Sequence, residues 1–138
     1  MNKTLVAYFS ATGTTRKKAL EISKKNNGDL YEIIPKQKYT NEDLNWNNPE
    51  SRTSIEIKNL DFRPDIEEVD IDLNEYDTIY IGYPIWWGIV PNVIKTFLDK
   101  IDLKNKKIIP FCTSGGSNIE ESLDDLKKTY RDINIIEN

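Results

Sequence analysis

The chain has 138 residues, 38% of them hydrophobic and 30% charged, with a net charge of −4 at pH 7. This length and balance predict one folded domain spanning residues 1–138 rather than a disordered chain. The negative charge argues against nucleic acid as a main partner. No apolar run approaches the roughly 20 residues that a bilayer-spanning helix needs, so no membrane partner is expected.

Histidine is absent from the chain, and Cys112 is its one cysteine. These absences exclude histidine-based general-base catalysis, Ser-His-Asp triads, histidine-ligated metals and an intrachain disulfide, and they strongly disfavour a zinc site. A lone cysteine predicts a reducing, cytoplasmic location. Any chemistry is therefore expected to come from a bound cofactor.

Strand patterns alternate with helix patterns along the chain, which predicts a parallel sheet covered by helices on its faces. Residues 5–9 form a continuous apolar run that suits a central buried strand. The further predicted strands are residues 30–34, 78–82, 107–111 and 133–136. Helices are predicted over residues 14–26, over about 50–60, after Pro91, and over about 119–130. Their expected buried residues are Ala19, Leu20 and Ile22; then Val93, Ile94, Phe97 and Leu98; then Ile119, Leu123, Leu126 and Tyr130.

Two features depart from this regular pattern of strands and helices. Thr40 and Asp43 have the spacing of a helix capping box, although Asp takes the place of Glu or Gln and Pro49 interrupts the segment soon after. Residues 36–49 are therefore predicted to form a loop or a short helical turn. Pro110 lies inside a predicted strand, where it cannot donate a ladder hydrogen bond, so we expect it near the strand's end.

Functional residues in such a sheet are expected where strands end and helices begin, and three segments meet that rule. The first, residues 10–15, reads Ser-Ala-Thr-Gly-Thr-Thr and contains no acidic residue. Its hydroxyls and the N-terminus of the following helix suit a phosphate group. An ordinary helix cap would need only one such hydroxyl, so the pattern favours phosphate binding.

The other two segments follow the third and fourth strands. Residues 83–88 read Tyr-Pro-Ile-Trp-Trp-Gly, and two adjacent tryptophans in a loop favour a flat ligand, although either could instead pack in the core. Residues 113–117 read Thr-Ser-Gly-Gly-Ser, whose glycines allow the backbone to approach a ligand closely. Alternatively, this segment is a flexible connection in which Ser117 or Asn118 caps the next helix.

Taken together, the three segments resemble those of flavodoxins, especially short flavodoxin-like proteins with a YPIWWG loop and a PFCTSGGS loop. The resemblance covers residues 5 to about 136. It implies a doubly wound α/β fold with a five-stranded parallel sheet in the order 2-1-3-4-5, and a non-covalently bound FMN used for electron transfer. The implied phosphate contacts are Ser10, Thr12, Gly13, Thr14 and Thr15. The implied ring contacts are Pro84, Ile85, Trp86, Trp87 and Gly88, with Thr113, Ser114, Gly115 and Gly116 at the ring's pyrimidine edge.

The sequence departs from typical flavodoxins in two places. The segment after the fourth strand lacks the tyrosine that covers the outer flavin face, a role that Trp46 or Tyr39 could take. The sequence also ends soon after the fifth strand, so the last helix is expected to be missing. The sheet face left bare would then offer a surface for a homodimer.

The sequence is compatible with several functions. The acidic clusters at residues 61–77 and 120–125 are either solvated faces or a docking surface for a redox partner protein. An uncovered flavin face would suit an FMN-dependent NAD(P)H or quinone-type oxidoreductase with a small electron acceptor. A non-catalytic flavodoxin-like interaction scaffold is a third possibility. A signalling receiver is disfavoured, because no acidic residue follows the first strand.

Overall fold

A parallel sheet of five strands, in the order β2-β1-β3-β4-β5, organises the chain. The computed structural model describes residues 3–11, 13–45, 47–59, 61–69, 71–85, 90–113, 119–131 and 133–136. The elements are β1 (Lys3–Tyr8), α1 (Thr14–Asn26), β2 (Asp29–Glu32), α2 (Arg52–Ile57), β3 (Tyr76–Pro84), α3 (Asn92–Asp99), β4 (Lys107–Thr113), α4 (Glu120–Thr129) and β5 (Asn134–Ile135). The predicted fold class and strand order are confirmed.

The two central strands, β3 and β4, are longer than the sequence predicted. They remain paired up to Pro84 and Thr113, which are the last residues of their strands and lie opposite each other. Both residues were expected in loops, and that expectation is wrong. The parallel ladder continues one residue further still, because the Ile85 N–H donates to the Thr113 carbonyl at 3.0 Å.

The main core lies on the sheet face covered by α3 and α4. Helix α3 is buried on nearly every side, because α2 and α4 flank it, and its four predicted core residues are all buried. From α4, Leu123 and Leu126 are buried, whereas Ile119 and Tyr130 are half-buried. The core cluster on this face also includes Leu5, Ala7, Phe9, Ile79, Ile81, Tyr83 and Ile108.

A much smaller core lies on the opposite face, under α1. It consists of Val6, Tyr8, Ala19 and Phe111, with Ile22 and Tyr80 packed against it. Leu20, predicted to be buried, is instead 39% exposed, so that part of the prediction is wrong. The side chains at positions 16, 17 and 24 lie on the same side of the helix and are also exposed, so this stripe of α1 faces away from the sheet.

Gly82 allows Phe111 to lie across β3 in this small core. A Cβ at position 82 would overlap the Phe111 ring. The aromatic ring therefore fills the space that a side chain on β3 would otherwise occupy. This close approach places a large apolar side chain between α1 and the sheet centre.

Pro110 lies inside β4. It breaks no hydrogen bond there, because no described strand pairs with this side of β4 at that position. In a parallel strand, alternate residues direct their N–H and C=O groups to the same neighbouring strand. Ile108 faces β5, since its carbonyl accepts from the Ile136 N–H at 2.8 Å. Pro110 therefore faces the same side, but the β4–β5 pairing covers only Lys107 and Ile108.

The segment between β2 and β3 packs against the main core. Thr40 and Asp43 exchange the two hydrogen bonds of a capping box, Thr40 N–H to Asp43 Oδ2 at 2.9 Å and Asp43 N–H to Thr40 Oγ1 at 3.1 Å. They close a short turn rather than a long helix, as predicted. Helix α2 occupies the middle of the region where a helix was predicted and is capped by Ser51, whose side chain accepts from the Ser54 N–H. Among the described helices, none is long and apolar enough to cross a membrane.

Candidate functional site

The described parts of the three predicted segments meet at the carboxyl edge of the sheet. Thr113 lies between the other two. Its hydroxyl is 2.7 Å from the hydroxyl of Thr15 in the first segment, and its carbonyl accepts from Ile85 in the second. The first segment is also held beside β3, because the Phe9 N–H donates to the Gly82 carbonyl at 2.9 Å. The structure thus brings together parts of the chain that are about one hundred residues apart.

Gly13 gives the first segment its shape. It adopts a positive φ of 93° immediately before α1, a conformation that L side chains rarely adopt. A Cβ built on Gly13 meets no atom of the described residues within 4 Å, so these residues leave space open in front of the helix N-terminus. Such a left-handed residue followed by a helix is the backbone arrangement that directs several N–H groups toward one anion.

Ser10 stabilises this turn from inside the segment. Its hydroxyl oxygen accepts from the Gly13 N–H at 2.9 Å and from the Arg16 N–H at 3.3 Å. Both acceptor positions of the oxygen are then used, and the hydroxyl proton is the group that Ser10 can direct at a ligand. Thr14 is exposed at the first position of α1. Thr12 lies outside the described residues.

Thr15 differs from the other predicted phosphate contacts. It is 1% exposed, and its hydroxyl points to Thr113 rather than to the open space beside Gly13. Any contact that Thr15 makes with a ligand would therefore come from its backbone N–H. Its side chain connects the first segment to the third.

The N-terminus of α1 has an unusual charge. The first turn contains no acidic residue, and it ends with the exposed Arg16 and Lys17. Positive side chains at a helix N-terminus add to the positive end of the helix dipole, which is unfavourable unless an anion binds there. Lys18 is directed elsewhere, since its ammonium group donates to the Cys112 carbonyl at 2.9 Å.

Only the borders of the two predicted ring segments are described. Pro84 and Ile85 are half-buried at the end of β3, and Val90 and Pro91 are buried where the chain enters α3. Trp86, Trp87 and Gly88 lie outside the described residues, as do Ser114, Gly115 and Gly116. Ser117 and Asn118, the alternative helix caps, lie outside them too. Their roles stay predictions.

A buried hydroxyl pair lies beneath these borders, and no pattern in the sequence indicates it. Tyr83 and Ser122 are both 0% exposed, and their hydroxyl oxygens are 2.9 Å apart. Burial raises the pKa of the Tyr83 hydroxyl well above its usual range, so it remains a proton donor at any ordinary pH. Nearby, the buried Lys95 of α3 forms an ion pair with Asp125 of α4 at 2.9 Å.

A second cluster missed by the sequence reasoning surrounds Tyr39. Its ring packs on Phe9 at a centroid distance of 5.5 Å and lies 3.7 Å beneath the Arg52 guanidinium. Its hydroxyl donates to Glu56 at 2.6 Å, and Arg52 donates both to Glu56 and to the Gln37 carbonyl. Tyr39 is therefore held within the fold, which disfavours it as the cover of an outer flavin face. Trp46, the other residue considered for that role, lies outside the described residues.

The large cleft on the outer side of α2 is a separate feature. It has a volume of about 1090 Å³ and is lined by residues from positions 36–65, none of them a predicted site residue. Its most buried charged groups, Arg52 and Glu56, are already paired with each other. We therefore assign the candidate site to the sheet edge, where the three segments converge.

Side chains that could perform acid–base or metal chemistry are scarce around this edge. No group of three or more potential metal ligands occurs among the described residues. Burial raises the pKa of the half-buried Cys112 thiol, so it is protonated at neutral pH. The arrangement can bind and orient a cofactor, but it presents no activated nucleophile within the described part of the chain.

The sheet order and the position of the site at its carboxyl edge define a flavodoxin-like protein. The chain belongs to the flavodoxin family, whose model matches residues 3–138.

Solved structures agree with this assignment. The chain is 49% identical to a protein provisionally named a flavoprotein from Bacteroides eggerthii, with a TM-score of 0.97 over 99% of this chain and 86% of that one. It is 28% identical to a flavoprotein from Lactobacillus acidophilus solved in complex with FMN, with a TM-score of 0.82 over 99% of this chain and 91% of that one.

One curated relative matches over a short stretch only. It is the uncharacterized NAD(P)H oxidoreductase YcaK of Escherichia coli, 33% identical over 46 residues. The match covers 32% of this chain and 24% of that protein.

Proposed function

We propose that the chain binds FMN at the carboxyl edge of its sheet and functions as an electron-transfer protein in the cytoplasm. The observation that carries the proposal is the open cradle at Gly13, where a positive φ and an unobstructed Cβ position lie at the N-terminus of a helix with no acidic first-turn residue. These features fit a phosphate dianion. FMN, when bound, supplies the capacity to accept and donate electrons, which the side chains of this protein lack.

The protein's own contribution is to bind and orient the cofactor. The Ser10 hydroxyl proton and the backbone N–H groups at the start of α1 would hold the phosphate, with Thr12 and Thr14 as further donors. Thr113, fixed by contacts to both neighbouring segments, would begin the backbone that meets the pyrimidine edge of the ring. Trp86, Trp87 and Gly88 are proposed as the ring contacts on the other side. The FMN complex of the Lactobacillus relative supports this choice of flavin.

Gly13→Ala is the sharpest test of the phosphate cradle. The added methyl group would enter the space in front of the helix N-terminus, and the positive φ would be strained, so we expect the dissociation constant for FMN to rise at least tenfold. Riboflavin, which has the same ring and no phosphate, serves as the control within the same variant. Its affinity should change less than twofold, measured by quenching of flavin fluorescence.

Two outcomes would contradict the proposal. Wild-type protein that purifies without flavin colour and binds no added FMN would favour an interaction scaffold. Equal losses of FMN and riboflavin affinity in Gly13→Ala would place the defect in the fold rather than in phosphate binding.

The alternative function is an FMN-dependent oxidoreductase that accepts a hydride from NAD(P)H. It is favoured by the short match to an NAD(P)H oxidoreductase and by the absence of tyrosine from residues 113–117. Stopped-flow mixing of the FMN-loaded protein with NADH or NADPH separates the two functions. Flavin bleaching within seconds, followed by reoxidation with a quinone, would establish the enzyme. No bleaching, with rapid reduction by a reductase protein, would establish the carrier.

A further inference from the structure

A chain of two hydrogen bonds connects the end of β3 to the start of α4. The Tyr83 hydroxyl lies 2.9 Å from Ser122 Oγ, and Ser122 Oγ donates to the Ile119 carbonyl at 2.8 Å. A serine hydroxyl carries one proton, and here Ile119 receives it. Tyr83 is therefore the donor and Ser122 the acceptor in the buried pair.

The ends of this chain lie at the borders of the two predicted ring segments. Tyr83 is the first residue of the second segment and directly precedes Pro84, the last residue of β3. Ile119 is the first described residue after the third segment, and Ser122 lies in the first turn of α4. The two hydrogen bonds thus join the beginning of one ring segment to the end of the other.

A second connection acts one turn further along α4. Asp125 lies three residues after Ser122, on the same side of the helix, and it pairs with Lys95 of α3 at 2.9 Å. Helix α3 begins just after the second ring segment, so both borders of that segment are fastened to α4. The Lys95 side chain is only 2% exposed and that of Asp125 14%, so solvent competes little with the pair.

This ion pair is better suited to fixing a geometry than to adding stability. Asp125 Oδ2 is buried and has no hydrogen-bond partner within the part of the chain that the structure describes. A buried ion pair with an unsatisfied oxygen carries a desolvation penalty that two packed apolar side chains would avoid. What the pair supplies is a defined spacing and rotation of α4 relative to α3.

We propose that Tyr83 and Ser122 are positioning residues that set the distance between the two segments holding the flavin ring. The inference rests on the proposed FMN site. Helix α4 is the common anchor, so losing the Tyr83 hydroxyl would change the position of one ring segment relative to the other. The phosphate cradle lies at the N-terminus of α1, on the other face of the sheet, and the two hydrogen bonds do not involve it.

The test is Tyr83→Phe, which removes one hydroxyl and preserves the ring. We expect the dissociation constants of FMN and riboflavin to rise by the same factor, about threefold to tenfold, because the loss is at the ring and not at the phosphate. Oxidised and reduced FMN should lose affinity to different extents, so the midpoint potential should move. Ser122→Ala should have the same effects, and the double variant should be no worse than either single one.

Tyr76→Phe is the matched control. Tyr76 lies at the opposite end of the same strand, where its hydroxyl donates to Asp29 at 2.7 Å. This variant should lose stability comparably, without changing flavin affinity or potential. If Tyr83→Phe behaves in the same way, its hydroxyl has only a structural role and the inference is overturned.

Hydrogen exchange on flavin-free protein separates this inference from the proposed function. Tyr83→Phe should accelerate amide exchange in peptides covering residues 83–90 and in those covering 113–122, and Tyr76→Phe should accelerate neither. Faster exchange in only one of the two peptides would overturn the inference even if FMN binds. Faster exchange in both, in a protein that binds no FMN, would support the coupling and reject the FMN site.

Discussion

Helices α1 and α4 pack on opposite faces of one sheet and have opposite charges at their N-termini. Helix α4 has Glu120 and Glu121 in its first turn and lysines in its last, which complements the helix dipole at both ends. Helix α1 has lysines in its last turn too, but its first turn has basic side chains and no acidic residue. The side chains of α4 thus compensate its helix dipole at both ends, whereas a bound anion would stabilise the N-terminus of α1.

The two helices also differ in how much they bury. Helix α4 buries two leucines in the large core, and α1 buries only Ala19 and Thr15. The side of the molecule that carries the proposed phosphate site is therefore the less firmly packed one. Local opening is expected to begin there, since regions with few buried apolar contacts open most easily.

The largest expected effect comes from a matched pair of leucine substitutions. Leu126 on α4 is 0% exposed and Leu20 on α1 is 39% exposed. Leu126→Ala should lower the free energy of unfolding by about 2–5 kcal/mol, because it leaves a cavity in the main core. Leu20→Ala should change it by about 0.5 kcal/mol or less. Urea denaturation followed by circular dichroism measures both, and similar losses would contradict the difference between the faces.

A smaller effect is expected at Gly82, because the small core under α1 depends on close contact between this residue and the Phe111 ring. Gly82→Ala forces the Phe111 ring away from β3, which should cost about 1–3 kcal/mol of unfolding free energy. The double-mutant cycle with Phe111→Ala identifies the cause. Once the ring is removed, adding the methyl group at position 82 should cost little or nothing. Additive losses would show that the penalty has another origin.

The sheet was predictable because its central strands bury continuous apolar runs. The outer strands were predicted less well: β2 spans Asp29–Glu32 instead of residues 30–34, and β5 spans only Asn134–Ile135. An edge strand is half solvated, so its apolar residues define its limits poorly; Leu30 and Ile34 are 40% and 38% exposed. The burial of Leu20 was predicted wrongly for a similar reason, since α1 contacts the sheet through a narrow stripe.

The meeting of the described parts of the three segments at one sheet edge was predictable, and the connections between them were not. Strand ends and the glycine and hydroxyl content of residues 10–15 were sufficient to locate the three segments. The hydroxyl pairs Thr15–Thr113 and Tyr83–Ser122 join residues 98 and 39 positions apart. Whether two such hydroxyls meet depends on strand register and side-chain rotamers, which no local pattern encodes.

The smallest expected effect tests the charge contrast directly. Lys17→Glu puts a negative side chain close to the N-terminus of α1, so it should raise the unfolding free energy of the flavin-free protein by about 0.3–1 kcal/mol. Lys25→Glu, in the last turn of the same helix, makes the same charge change at the negative end of the dipole and should lower it by a similar amount. Thermal denaturation at low salt measures both, and 1 M NaCl should largely abolish the difference because the Debye length falls to about 3 Å.

Lys17→Glu should weaken FMN binding although it stabilises the flavin-free protein. A carboxylate at position 17 competes with a phosphate dianion for the positive end of α1. Riboflavin affinity should be unchanged, as it lacks the phosphate. If Lys17→Glu destabilises the flavin-free protein as Lys25→Glu does, then the N-terminus of α1 is not short of negative charge. The difference between α1 and α4 would then offer no support for an anion site.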